Sequence, residues 1–193
     1  MRSGVKTIDF GLAYGMSKFK LSASMKIDLK AAEGLIEDYF REFPRIGRTL
    51  RQLGMFGVTN GYIQTLAPFF RKRWFPYWKY ARNGIDAHIK DVQYDSTLGS
   101  IERASKNMPI QGTSADMTKT AIWLIFEYIH AHGLSDRVKL VMQVHDQLTT
   151  RVREDYAMTW KPILHDLMLQ AGKFSIPNGL LGADTNITKV WSK

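Results

Sequence analysis

The chain has 193 residues, 27 Lys and Arg against 18 Asp and Glu, a formal charge of +9, and no cysteine. Hydrophobic residues make up 45% of it, enough for a packed core, which excludes wholesale disorder. The lack of cysteine excludes disulfides, thiolate metal sites and a Cys nucleophile, while the basic surplus suits an anionic partner or a protein that is merely basic.

In chain order, residues 2–13 read as a helix ended by Gly15, and a second helical stretch follows over 17–25. Asp28 is placed to cap a helix over 29–43, with Ala32, Leu35, Ile36, Tyr39 and Phe40 at helical spacing. Pro44 opens another helix running to about Met55. The Thr59-Asn60-Gly61 turn leads into a β-type stretch over 62–66, and 67–96 is irregular, aromatic and basic. A long helical region covers 98–131, where Pro109 and Gly112 predict a kink or break. Residues 138–144 are β-rich but alternate poorly. With 148–152 they predict a hairpin with His145-Asp146-Gln147 at its tip. A helix over 155–171 and a final strand over 180–190 complete an α+β pattern. No stretch approaches the roughly 20 apolar residues that span a bilayer. The longest apolar run, 121–129, carries Glu127, and the N-terminus has no signal-type apolar run. A soluble intracellular protein without a membrane partner is expected.

Three constellations carry chemistry. Arg2, Lys6, Phe10 and Tyr14 recur every four residues, so on a helix each is displaced only about 40° around the axis from the last. They form one stripe, two cations followed by two aromatics, about 18 Å long. Cations there neutralise phosphates, and an aromatic one or two turns on stacks on a base. An amphipathic helix with Phe10 and Tyr14 in the core fits the same spacing.

Arg103, Asn107 and Gln111 repeat the four-residue step. Amides can meet the acceptors that the DNA minor groove offers at every base pair; an ordinary polar helix face has the same pattern. His145-Asp146 at a hairpin tip places a carboxylate where it could hold a divalent metal for phosphoryl transfer. His-Asp pairs also serve metal phosphohydrolases, but His88, His130, His132 and His165 form no clear ligand spacing around it. Arg71-Lys72-Arg73 among Phe69, Phe70, Trp74, Phe75 and Trp78 suits a nucleic-acid groove and equally a solvated loop.

The string Arg2-x3-Lys6-x3-Phe10-Gly11-x2-Tyr14-Gly15 resembles the fingers-helix motif of family A DNA polymerases, the bacterial DNA polymerase I type. Glu102-Arg103-x3-Asn107-x-Pro109-x-Gln111-Gly112-Thr113 resembles a palm-helix motif of the same family. Val141-Met-Gln-Val-His145-Asp146-Gln147-Leu148 resembles its palm hairpin. The three stand in the family's order, and Trp191 fits its C-terminus. One departure is Gln147, where the family usually has Glu.

The resemblance implies a right-hand polymerase fragment, with mostly helical fingers and the later palm with its antiparallel hairpin. Residues 1–60 would be fingers, 61–96 a hairpin with a basic aromatic insertion, and 97–193 palm. Arg2 and Lys6 would bind the triphosphate, with Lys6 donating a proton to the leaving pyrophosphate. Phe10 would stack on the incoming base and Tyr14 would order the template side. Arg103, Asn107, Gln111 and His145 would touch primer–template DNA, and Asp146 would ligate catalytic Mg²⁺. The implied partners are primer–template DNA, deoxynucleoside triphosphates and an N-terminal chain carrying the thumb and the other metal-binding Asp, as in a split polymerase. The implied compartment is the cytoplasm of a bacterial or phage-infected cell. A nucleic-acid-binding remnant without catalysis is the alternative; a His-Asp phosphohydrolase is a third reading.

Overall fold

The computed structural model describes residues 11, 15–76, 78–79 and 98–190. Apart from Gly11, the helix expected over 2–13 lies outside the described residues, as do Arg2, Lys6, Phe10, Tyr14, Trp191, His88 and most of 77–97. The chain divides into two compact units, Met1–Thr65 with Arg71–Ile110, and Leu66–Phe70 with Gln111–Lys193. Its class is α+β, mostly helical, with two antiparallel hairpins among the described residues. No described helix is long and apolar enough to cross a membrane.

In the first unit, α1 (Lys18–Met25) starts where Ser17 Oγ accepts from the Lys20 N–H. It stops at Lys26, which adopts a left-handed conformation. Helix α2 (Leu29–Glu42) begins as its sequence predicts, with Asp28 accepting from the Ala31 N–H at 2.7 Å. Ala32 is buried and Leu35, Ile36, Tyr39 and Phe40 half-buried, whereas Glu33, Glu37 and Asp38 face water. Pro44 opens α3 (Pro44–Asn60), which runs past the expected end near Met55. Its stop is Gly61, at φ 74°, where a Cβ would lie 2.2 Å from Trp78 Nε1. Conformation and space both demand glycine there.

Strand β1 (Tyr62–Gln64) pairs antiparallel with β2 (Lys72–Trp74), Tyr62 opposite Trp74 and Gln64 opposite Lys72. The second strand corrects the expectation of an irregular segment. All three of its residues are exposed, so no alternation of polar and apolar side chains announced it. Ile63, Phe75 and Ile101 form the buried centre of the unit, with Leu53 and Met108 against it. Helix α4 (Leu98–Ala131) gives this unit its residues up to Ile110 and the other unit the rest. It runs unbroken through Pro109 and Gly112, so the break that the sequence allowed does not occur. Pro109 deprives the Ser105 carbonyl of its helical donor, but Pro109 and Gly112 are both buried and packing outweighs local propensity.

Helices α3 and α4 pack closely at Gly57. A Cβ there would stand 1.8 Å from Ser105 Oγ and 2.7 Å from its Cβ. Gly57→Ala gains helix propensity of about 1 kcal/mol but overpacks a buried contact by about 1–3 kcal/mol or more. A net loss of stability is expected, read as a lower urea midpoint at unchanged slope.

The second unit is built on β3 (Val138–Val144) and β4 (Gln147–Val152), an antiparallel hairpin as expected. Strand β4 starts at Gln147, so the tip is the two residues His145 and Asp146, one fewer than the sequence implied. Between the pairs Leu140↔Thr150 and Met142↔Thr149, β3 carries one extra residue, Val141, in a bulge. Val141 is also the residue that spoils the apolar alternation of this strand. After a 3-10 turn (Glu154–Tyr156), α5 (Ala157–Ser175) extends four residues beyond the expected end at Ala171. Trp160, Leu164 and Leu167 from α5 bury against Val138, Leu148 and Ile125. The final strand expected over 180–190 does not form. Gly182, Asp184 and Asn186 break its β propensity, and the segment instead walls a cleft.

Candidate functional site

His145 and Asp146 stand at the end of β3 because Val144 and Gln147 pair directly across the hairpin. His145 has φ 54°, a left-handed conformation uncommon for residues other than glycine, though histidine is enriched in it. A two-residue hairpin loop needs positive φ at its first position so that its twist matches the strands. The His145 carbonyl accepts a hydrogen bond from Gln143 Nε2 at 3.1 Å. Both tip side chains, and that of Gln147, are exposed.

Beneath the tip, the buried Leu148 and the bond from Trp160 Nε1 to Thr150 Oγ1, 3.0 Å long, tie β4 to α5. Asp146 and Gln147 also border a cleft of about 920 Å³ in this unit, with Thr150, Lys161, Asp184 and Lys189 among its walls. Sequence reading missed Lys161, Asp184 and Lys189, whose only signal is their position in the fold. Among the described residues no three His, Asp or Glu side chains converge to hold a metal. Asp146 thus offers one carboxylate. That fits Mg²⁺ as a partial site, since the ion usually takes one or two carboxylates with waters and phosphate oxygens.

Arg103, Asn107 and Gln111 fall on successive turns of α4. Arg103 and Gln111 are exposed and Asn107 is half-buried. The Asn107 Oδ1 atom itself is buried without a hydrogen-bond partner among the described residues. An acceptor left in that state costs about 1–3 kcal/mol. Arg103 and Asn107 belong to the first unit and Gln111 to the second. Gly15, at φ 71°, lies against Arg103, where a Cβ would come within 3.1 Å of its Cγ. The residue that follows the expected nucleotide helix is therefore packed on the helix that carries Arg103 and Asn107.

The family model for DNA polymerase family A matches residues 1–193. The chain belongs to DNA polymerase family A. It is 34% identical over 191 residues to the thermostable DNA polymerase I of Thermus filiformis, covering 99% of this chain and 20% of that one. It is 31% identical over 176 residues to DNA polymerase I of Pseudomonas aeruginosa, covering 91% of this chain and 18% of the relative. Among solved structures, the POL domain of Pol1 from M. smegmatis, in complex with DNA primer-template and dNTP, matches with a TM-score of 0.72 at 30% identity. That match covers 88% of this chain and 27% of the other. The chain thus spans about a fifth of the length of these family A polymerases.

Proposed function

We propose that this chain forms the fingers and later palm of a DNA-directed DNA polymerase, adding deoxynucleotides to a primer 3′ end. The observation that carries the reading is Asp146, an exposed carboxylate on a two-residue turn held by a buried core, in a chain of family A. In this reading residues 1–60 are fingers, 61–96 a hairpin and insertion, and 97–193 palm. Arg2 and Lys6 hold the triphosphate and Lys6 protonates the leaving pyrophosphate. Phe10 stacks on the incoming base and Tyr14 orders the template. Arg103, Asn107 and Gln111 face the minor groove near the primer end, where a guanine amino group could satisfy Asn107 Oδ1. His145 lies against the primer terminus.

Asp146 is the metal ligand of this chain. Bound Mg²⁺ would stabilise charge on the attacking and leaving oxygens. Gln147 lacks a charge and is left outside the ligand set. A second carboxylate, with the thumb and the first part of the palm, comes from a polypeptide segment other than these residues. Two features support such a companion. Among the described residues the β3–β4 hairpin has no further strand on either edge, so both edges can accept one. Trp123, Phe126, Val141 and Met158 of the same unit are also exposed, apolar side chains that a companion could cover.

The test is co-purification of the chain with a polypeptide carrying that palm segment and thumb, followed by primer extension with Mg²⁺. Extension by the pair and not by either part is the expected result; extension by this chain alone refutes the companion. A phosphohydrolase site is disfavoured because the described histidines do not gather around Asp146.

The backbone of His145 gives a sharper check. Glycine adopts φ 54° freely, whereas other residues hold it at a cost of about 1–2 kcal/mol. His145→Gly is expected to leave the melting temperature unchanged or slightly raised while primer extension by the pair drops at least about tenfold, as losing one good contact to the primer would. Full activity in that variant would remove His145 from the site.

A further inference from the structure

From Phe43 to Pro76 the chain holds six cations and no carboxylate: Arg45, Arg48, Arg51, Arg71, Lys72 and Arg73. On α3, Arg45, Arg48 and Phe56 fall within about 80° of one another around the axis, and all three are exposed. The stripe runs about 16 Å along the helix from Arg45 to Phe56. It continues without a gap onto the β1–β2 hairpin. The Phe56 ring meets Tyr62 edge-on with centroids 5.3 Å apart, and Tyr62 meets Trp74 at 5.0 Å.

The register puts Tyr62, Gln64, Lys72 and Trp74 on one face of the hairpin and Ile63 and Arg73 on the other. Ile63 is buried, so the first face is the outward one. Lys72 Nζ stands 4.6 Å from the Tyr62 centroid and 5.3 Å from that of Trp74. Trp74 keeps 61% of its surface in water. A tryptophan that could be buried seldom remains so exposed. Aromatics in a row, flanked by cations in a stretch of chain without carboxylates, match the chemistry of an unpaired nucleic-acid strand: phosphates for the cations, base faces for the rings.

We propose that the outward face of α3 and the β1–β2 hairpin binds single-stranded DNA. Arg45, Arg48 and Lys72 meet its phosphates, and its bases stack on Phe56, Tyr62 and Trp74. The choice of DNA rests on the polymerase reading above; the stacking platform rests on this face alone. None of these residues belongs to the Asp146 turn or to the set expected to hold nucleotide.

The experiment titrates the full chain with an oligodeoxythymidylate, following tryptophan fluorescence and the anisotropy of an end label. Wild type should show quenching that Trp74→Phe abolishes while retaining most of the affinity. Trp74→Ala should weaken binding about tenfold, the loss of one stacked base, with affinity for blunt duplex unchanged. Lys72→Ala should flatten the salt dependence by roughly 0.7 in log–log slope, one phosphate contact on a single strand.

Because Trp74 is exposed, circular dichroism and melting should match wild type; the fluorescence of the Trp74→Phe protein checks the platform even if the alanine variant misfolds. Equal oligonucleotide affinity in wild type, Trp74→Ala and Lys72→Ala overturns the proposal. So does tighter binding of oligouridylate than of oligodeoxythymidylate. Failure of the chain and its companion to add nucleotides would refute the polymerase reading and leave this binding result standing; unchanged binding in Trp74→Ala would do the reverse.

Discussion

Replacing Asp146 with alanine is expected to lower nucleotide addition by the assembled polymerase about a thousandfold, while primer–template affinity changes little. The size follows from what the carboxylate is asked to supply. Holding a metal against transition-state charge is worth several kcal/mol, and about 4 kcal/mol corresponds to a factor of a thousand in rate. The fold should not share in the loss, because Asp146 is exposed on a turn whose register is set by Val144 and Gln147 on either side of it. Substitutions at such surface positions usually stay within about 0.5 kcal/mol. Asp146→Asn, which keeps the shape and removes the charge, should be nearly as damaging. Single-turnover extension with Mg²⁺, alongside a binding titration on the same DNA, separates the two effects. Undiminished extension in both variants would end the metal assignment.

The second large effect is on stability. Trp160 is 2% exposed, donates from Nε1 to Thr150 Oγ1 at 3.0 Å, and lies 6.0 Å from the Tyr128 ring. It is the side chain through which α5 grips β4. Trp160→Ala should cost about 3–5 kcal/mol through lost contacts and the cavity left behind, a large part of a domain stability of about 5–15 kcal/mol. Trp160→Phe keeps most of the volume and should cost less, about 1 kcal/mol of it from the lost hydrogen bond. Urea unfolding followed by circular dichroism gives both values. Amide exchange at Val144 and Gln147 reports whether the tip loosens with the core. A small effect from Trp160→Ala would mean that the hairpin is held elsewhere.

Much of this architecture is legible in the sequence where a residue has a local job. Asp28 capping α2, Pro44 opening α3 and Gly61 closing it act within a turn or two of themselves, so composition and position suffice. The β3–β4 hairpin is legible because two β-rich stretches flank a short turn, and Val141, which spoils the alternation of the first, is the bulge. Strand β2 was hidden because Lys72, Arg73 and Trp74 all face water and carry no pattern. The break expected at Pro109 fails because the burial of Pro109 and Gly112 is tertiary and no local rule contains it. The strand expected over 180–190 fails for the converse reason: Leu180, Leu181 and Ile187 suggest β structure, but no strand among the described residues pairs with them. At the candidate site, the sequence placed Asp146 on a hairpin tip and Arg103 and Asn107 on one helix. Juxtapositions across the chain, such as Lys161 and Asp184 around the cleft, or Phe56 beside Tyr62 and Trp74, required the fold.

The bulge at Val141 bears on how this segment can change over generations. Side chains on a strand alternate faces, so a register slip of one residue exchanges them. Val141 is the extra residue between Leu140↔Thr150 and Met142↔Thr149, so deleting it would remove the bulge and leave the pairs from Met142 to Val144 in register. A residue added between Met142 and the tip would instead open a second bulge or slip the register by one, and such a slip presents His145 and Asp146 to the opposite side of the sheet. The bulge is thus the place where this strand can change length, and the spacing from Met142 to Asp146 behaves as a fixed ruler that sets the direction in which the carboxylate points.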